Sequence, residues 1–347
     1  AQEVETLTLE DCLRIGIDNN LSLEGKRKEI QKSKYGVSEN RSKLLPQITV
    51  IAGYNNNFDP PVSVTDGSSY GVPYNITKTL QHTANAGLEM QMPLFNQTLY
   101  TSMSIAKVME EISRLSYGKA REDIIMQISK MYYLGQVTAE QIVLIKANIT
   151  RLEELRDITQ AFFDNGMSME VDLKRVNINL ENLKVQYDNA QAMMKQQLNM
   201  LKYIMDYPAE KEFVLTPVNT DSITTVALTG LSENIYELQL SQSQVQLAEK
   251  QKKIISNGYI PSLSLTGSWR YAAYTDKGYH WFHSGPSNHW FRSYGLGLTL
   301  RIPIFDGLDK TYKIKKAMID IENSKLAWEN ARKSLQTQYL NAVNDLM

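Results

Sequence analysis

The sequence predicts an α+β membrane protein in which long coiled-coil-like helices alternate with four membrane-length β-strands, the whole arrangement occurring twice in tandem. Three observations predict it. Two proline-centred motifs recur in the same order some 210 residues apart. Segments of about ten residues with strict apolar/polar alternation accompany them. Helical periodicity then continues over a span too long for a compact domain.

Composition narrows the classes first. The 347 residues carry 37 basic and 38 acidic side chains, a formal charge of −1, so no basic excess points to nucleic acid or to an anionic membrane surface. One cysteine, Cys12, can form neither an internal disulfide nor a thiolate metal cluster. The apolar runs are a few residues long, far short of the roughly 18–20 a transmembrane helix needs. Nineteen Tyr and four Trp are a rich supply of interface-seeking residues, which leaves a β-barrel open.

The repeat is read from Ser38–Val50, centred on Pro46, against Lys253–Leu265, centred on Pro261, at an offset of 215. Gly87-Leu-Glu-Met-Gln-Met-Pro93-Leu-Phe-Asn96 matches Gly297-Leu-Thr-Leu-Arg-Ile-Pro303-Ile-Phe-Asp306 at an offset of 210. A tandem duplication with a small loop-length change explains both. It divides the chain into a first repeat over 1–205, a linking segment over 206–230, and a shorter second repeat over 231–347.

Within the first repeat, Thr8-Leu-Glu-Asp11 has capping-box spacing and opens a helix expected to run to about Leu45, where Pro46 stops it. Ser232 opens the counterpart before Pro261. The strands follow. Ile48, Val50, Ala52 and Tyr54 alternate with Gln47, Thr49, Ile51 and Gly53, and Ala86, Leu88, Met90 and Met92 with Asn85, Gly87, Glu89 and Gln91. In the second repeat, Leu263, Leu265, Gly267, Trp269 and Tyr271 alternate with Ser262, Ser264, Thr266, Ser268 and Arg270. Tyr294, Leu296, Leu298, Leu300 and Ile302 oppose Ser293, Gly295, Gly297, Thr299 and Arg301.

Periodicity alone fits a soluble two-faced hairpin equally well. The joining segments, 58–81 and 273–291, are long, polar and aromatic-rich, unlike the short turns of soluble hairpins and like the outer loops of membrane barrels. Four strands cannot close a barrel whose smallest form needs about eight. Several chains must therefore share one.

Asn96 and Asp306 are placed as N-caps for the helices that follow. Ile105, Met109, Ile112, Leu115, Ile124, Ile128 and further apolar residues to Phe162 recur at three-and-four spacing, so one helix spans Gln97 to about Asp164, on the order of 100 Å. Asn165-Gly166 ends it, Gly166 suiting a left-handed C-cap. A returning stripe runs from Leu173 to Leu201, giving a helical hairpin with its tip near Gly166.

These pieces together resemble the TolC family of trimeric outer-membrane efflux and secretion ducts. The resemblance is carried by Leu9-Glu-Asp-Cys-Leu with Asn19-Asn20, by Leu44-Leu-Pro46, by Pro93-Leu-Phe-Asn96, by Phe163-Asp-Asn-Gly166-Met-Ser-Met-Glu-Val-Asp172-Leu, and by the Pro261 and Pro303 motifs; it covers nearly the whole chain. It implies a homotrimer whose shared twelve-stranded barrel lies in the outer membrane of a Gram-negative bacterium, continued by an α-helical tunnel in the periplasm. It implies a periplasmic adaptor protein and an inner-membrane RND, ABC or MFS transporter as partners. The tip residues Asn165, Gly166, Met167, Ser168 and Asp172 would meet the adaptor. Leu263, Leu265, Trp269, Leu296, Leu298 and Leu300 would face outer-membrane lipid, and Glu89, Gln91, Ser264 and Thr266 the lumen.

One departure matters. The first repeat carries 113 residues after its second strand, Leu94 to Asp206, against 44 in the second, Ile304 to Met347. The second returning helix, on which the family's aperture residues lie, is missing, so no gating residue is assigned, and the chain reads as a piece of a longer protein. Ala1-Gln-Glu lacks a charged, apolar leader and a terminal cysteine, as expected of a mature, unlipidated form.

No constellation for catalysis, a cofactor or a metal emerges. His280 and His283 could pair as metal ligands, but Tyr279, Trp281, Phe282, Trp290 and Phe291 around them read better as an aromatic cluster at the membrane surface. Gly295-Leu-Gly297 lacks the helix and third glycine of a dinucleotide loop. Glu110-Glu111 and Glu153-Glu154 read as solvated helix faces. The expectation is a passive duct for efflux or type I secretion, not an enzyme. Its rival is a non-transporting trimeric outer-membrane stalk or adhesin.

Overall fold

The computed structural model describes residues 5–66, 68–78, 80–217, 235–275 and 289–346. In chain order the elements are β1 (Glu5–Leu7), α1 (Leu9–Asn19), α2 (Leu21–Ser42), β2 (Gln47–Asn56), β3 (Val62–Asp66), β4 (Tyr74–Lys78), β5 (His82–Phe95), α3 (Gln97–Asp164), α4 (Glu170–Met205), β6 (Phe213–Leu215), α5 (Tyr236–Ser256), β7 (Ser262–Thr275), β8 (His289–Arg301) and α6 (Asp309–Leu346). A helix, two long strands and a helix thus follow one another twice. Among the described residues no helix is long and apolar enough to cross a membrane.

The chain divides into two compact units, each drawing on both halves of the sequence. The first takes its described residues from 1–31, 112–240 and 331–347, the second from 32–111 and 241–330.

The first unit is built around a small apolar core. Thr8 caps α1 through a reciprocal box, its Oγ1 accepting from Asp11 N at 3.2 Å and its own N–H donating to Asp11 Oδ2 at 3.3 Å. The hydrogen bonds from Thr8, and then from Arg14, hold the Asp11 carboxyl below the usual carboxylate range. Cys12, Leu7, Leu23, Ile128, Leu201 and Met205 are fully buried against one another. Gly16 lets α1 approach this closely, because a Cβ there would lie 2.3 Å from Ile128 Cδ1. A parallel pair, β1 with β6, closes the core, and Tyr132 Oη donates to Leu7 O across it at 3.3 Å.

The first helix differs from its sequence expectation. It breaks at Asn20, whose extended ψ of 117° interrupts the spiral. The side chain compensates: Asn20 Oδ1 accepts from the N–H groups of Ser22 and Leu23, capping α2, while Nδ2 donates to Ile204 O at 2.8 Å. Apolar periodicity does not register such a break, because the stripe resumes one residue later.

In the second unit β2, β5, β7 and β8 form one antiparallel sheet in that order. β5 and β7 have 14 residues each and β8 has 13, longer than the ten expected. Asn96 caps α3 as expected, Oδ1 accepting from Thr98 N and Leu99 N. Asp306 does not cap α6 directly. Gly307 and Leu308 both have φ of 68°, so the helix begins at Asp309 and Asp306 Oδ2 accepts from Lys310 N instead. The first joining segment holds a short hairpin, β3 with β4, which five-residue strands are too brief to announce. Most of the second joining segment, and Ser232, lie outside the described residues.

Ile128→Ala removes a fully buried side chain from the contact of α1, α3 and α4 and should cost about 2–5 kcal/mol, read as a lower urea midpoint.

Candidate functional site

The sheet of the second unit is two-faced along every strand. The register sets Ile48, Met90, Gly267 and Leu296 in one row and Val50, Leu88, Trp269 and Tyr294 in the next. Leu265 faces Leu298 and Leu263 faces Leu300 on the same side. The intervening rows read Gln47, Gln91, Thr266, Gly297 and Thr49, Glu89, Ser268, Gly295. All six residues expected on lipid therefore share one face, and Glu89, Gln91, Ser264 and Thr266 share the other.

The apolar face is bare. Leu296 is 80% exposed, and Ile48, Val50, Tyr294, Leu298 and Leu300 are exposed with it. This is a contiguous patch of the kind a soluble monomer rarely presents. The polar face forms a trough lined by Gln47, Thr49, Glu89, Gln91, Thr266 and Arg270. Arg270 Nη2 reaches Glu89 Oε1 at 2.6 Å, pairing the two formal charges of the trough. Arg270 shares the parity of Ser264 and Thr266, which is the signal that assigns it to this face. Gly87 brings β5 and β7 together there, since a Cβ on it would lie 2.4 Å from Trp269 O.

β2 and β8 each pair on one side only, so among the described residues both edges of the sheet are open. Every neighbouring pair is antiparallel, so β8 and β2 run in opposite senses. The second edge of one copy therefore has the right polarity to continue into the first edge of another.

The tip lies in the first unit, and its geometry is a Schellman turn. Met167 N donates to Phe162 O at 2.7 Å and Gly166 N to Phe163 O at 2.9 Å, with Gly166 at φ 76°. Asn165 Nδ2 donates to Ala161 O at 2.7 Å, satisfying one more terminal carbonyl. Met167 and Met169 are about three-quarters exposed. Glu170 pairs with Lys174 at 2.7 Å, which lowers its carboxyl pKa, and Asp172 N donates to Met169 O. Asn165, Gly166, Met167, Ser168 and Asp172 thus fall within one turn and the first turn of α4.

The long helices carry a second apolar pattern that the sequence reading missed. Val137, Leu144 and Ile158 on α3, and Val171, Ile178 and Val185 on α4, are exposed and fall on multiples of seven residues. Such spacing makes a seam of the coiled-coil kind, left unused within the chain. Of the stripe identified first, Ile124 and Ile128 enter the core, whereas Met109, Leu155 and Phe162 are exposed.

For other chemistry the site offers little. His82 Nδ1 lies 2.8 Å from Tyr54 Oη, with the rings stacked at the end of the sheet where β5 begins. His280 and His283, with Tyr279, Trp281 and Phe282, lie outside the described residues. Among the described residues no group of three His, Cys, Asp or Glu side chains could hold a metal ion. Burial pushes the Cys12 thiol up to about 11, far from thiolate reactivity at neutral pH.

Comparison with known proteins gives one family. Residues 15–205, more than half of the chain, match the family described as outer membrane efflux protein. Outer membrane protein TolC of Vibrio cholerae is 21% identical over 316 residues, covering 89% of this chain and 66% of that protein; the namesake from Salmonella enteritidis is 20% identical and 61% covered. The chain thus spans less than two thirds of the length of either relative. The CmeC outer membrane channel of Campylobacter jejuni superposes with a TM-score of 0.71 at 17% identity, over 97% of this chain and 71% of that one. CusC superposes with a TM-score of 0.76 at 16% identity, over 97% of this chain and 74% of its own.

The tip turn can be tested by itself. Gly166→Ala forces a side chain into the left-handed region at a cost of about 1–2 kcal/mol. Amide exchange at 165–167 should accelerate five- to thirtyfold, with the unfolding midpoint of the core unchanged.

Proposed function

The chain belongs to the outer membrane efflux protein family, and from that premise we propose that three copies form a passive conduit across the outer membrane of a Gram-negative bacterium. The two-faced sheet with two open, oppositely directed edges carries the reading. Each unsatisfied backbone group costs several kcal/mol in hydrocarbon, so a sheet in lipid must close. Edge-to-edge joining of β8 to the next copy's β2 gives twelve strands, an even antiparallel number within the range of transmembrane barrels. The same closure turns Leu263, Leu265, Trp269, Leu296, Leu298 and Leu300 toward lipid. It turns Glu89, Gln91, Ser264, Thr266 and Arg270 toward a water-filled lumen.

The heptad-spaced seams of α3 and α4 support the trimer independently, because copies packed side by side would bury Val137, Leu144, Val171 and Ile178. On this reading the helices form the periplasmic tunnel and the two sequence repeats are products of a tandem duplication. Asn165, Gly166, Met167, Ser168 and Asp172 dock a periplasmic adaptor, which links the duct to an inner-membrane transporter of the RND, ABC or MFS type. That transporter supplies the energy. This chain breaks no bond, and its contribution is a solvated path whose selectivity comes from lining groups and width.

The particle mass in detergent and single-channel conductance test the proposal. A mass near three times the 39.6 kDa chain, with stepwise conductance in a planar bilayer, is expected. A monomer would overturn the shared barrel, and a trimer without conductance would favour the stalk. Leu298→Arg should reduce membrane insertion by about 2–4 kcal/mol if it lies near the bilayer midplane. Thr266→Arg, on the opposite face, should insert normally and change ion selectivity.

A further inference from the structure

The balanced charge of the chain conceals a strongly uneven distribution. The fifteen residues next to each strand on the helical side of the sheet are 32–46, 96–110, 247–261 and 302–316. These sixty residues hold twelve basic and five acidic side chains, a net of +7. The other 287 hold 25 basic and 33 acidic, a net of −8. At the opposite end of the sheet, the joining segments 57–81 and 276–288 hold two basic and three acidic residues. The sixty residues on the helical side therefore carry a net positive charge that the joining segments at the other end do not.

All four segments lie in the second unit, and contacts tie three of them together. Asn257 Nδ2 donates to Thr101 Oγ1 at 2.6 Å, tying α5 to α3. Tyr259 Oη lies 3.3 Å from Thr311 Oγ1 and Lys310 lies over the Tyr259 ring, tying α5 to α6. Glu39, Asp306 and Asp309 each take the lysine four residues on: Lys43, Lys310 and Lys313. Among the described residues, Lys252, Lys253 and Lys316 have no carboxylate at ion-pair distance; Lys252 and Lys253 line a cleft with Glu249 and Ser256.

The order along the elements is specific. Strands of 13–14 residues end in exposed apolar groups, among them Leu45, Phe95, Tyr259, Ile260, Phe305 and Ile304, the last 94% exposed. The lysines come next. Lys252 and Lys253 precede the first residue of β7 by nine or ten positions, three or four of them in α5 and the rest in a 3₁₀ turn and an extended link, a contour of at most about 22 Å. A headgroup layer of about 5–8 Å and a screening length of about 8 Å put that level within reach of lipid phosphates, given the length of a lysine side chain. Apolar, aromatic and then basic is the sequence of environments met on leaving a bilayer.

We propose that this basic collar binds the headgroups of anionic phospholipids in the leaflet nearest the helices, fixing the depth and direction of the sheet in the membrane. The proposal rests on the barrel reading above. Each lysine at headgroup level should favour an anionic over a zwitterionic lipid by about fivefold. An anion dissolved in the lumen could supply the same phosphate chemistry, but the exposed apolar band beside the lysines favours lipid.

The test uses the full chain in phosphatidylcholine vesicles with and without phosphatidylglycerol. Insertion, read by protease protection, is scored separately from the phosphatidylglycerol enrichment of co-purified lipid, read by native mass spectrometry. Insertion in both vesicles with at least fivefold enrichment is expected, falling toward unity in a Lys252→Gln, Lys253→Gln, Lys316→Gln variant. Charge-conserving Lys→Arg replacements at the same positions should retain the enrichment, which separates lost charge from misfolding. Normal insertion without enrichment, or enrichment indifferent to the glutamine variant, overturns the collar and leaves the barrel standing. Enrichment abolished by millimolar inorganic phosphate at constant ionic strength identifies a soluble-anion site and also overturns it. Failure to insert in either vesicle overturns the barrel reading itself.

Discussion

The constraint on which the rest depends is the unmet hydrogen bonding at the two edges of a four-stranded sheet. β2 and β8 expose backbone donors and acceptors along ten and thirteen residues, and the face they share is covered with leucine, isoleucine, valine and aromatic side chains. Water tolerates the first feature and penalises the second; hydrocarbon does the reverse. Neither solvent suits one copy alone. Self-pairing within a membrane relieves both at once, which is why the functional reading follows from the sheet rather than from any chemical group.

The first unit meets a different demand. Its core is small, and it is assembled from segments distant in the sequence: β1 and α1 from the start of the chain, α3 and α4 from the middle, β6 beyond them. Close approach rather than bulk holds it, with Gly16 admitting Ile128 and Met205 to the surface of α1. Asn20 performs a related task by ending one helix, starting another and bonding to Ile204 O with a single side chain. The rods α2, α3, α5 and α6 each contribute residues to both compact units.

Charge and apolarity are organised along those rods rather than in a pocket. The polar trough pairs Arg270 with Glu89, and the lysines beyond the strand ends include several without local acidic partners. On the proposed conduit reading, the surfaces must be graded from lipid to water. Among the described residues the side-chain patterns of the sheet supply such a gradient.

Much of this was legible in the sequence because period and punctuation are local. Alternation over ten residues assigned the ten named strand residues to two faces, and a slip of one position would have exchanged them. Gly166, Pro46, Pro261 and Asn96 marked ends because their backbone preferences act on the spot. Most of the aromatic cluster around His280 lies outside the described residues, and the division into repeats stays a reading of the sequence. What only the tertiary structure decided was longer-range. The break at Asn20 depends on Ile204, 184 residues away. The parallel pair β1 and β6 depends on strands of three residues that carry no period. Which apolar stripe of α3 enters the core, and which stays exposed at heptad spacing, depends on the face that α1 and α4 cover. A sequence states what each residue prefers; which of two equivalent preferences is satisfied is decided by the neighbours that packing brings.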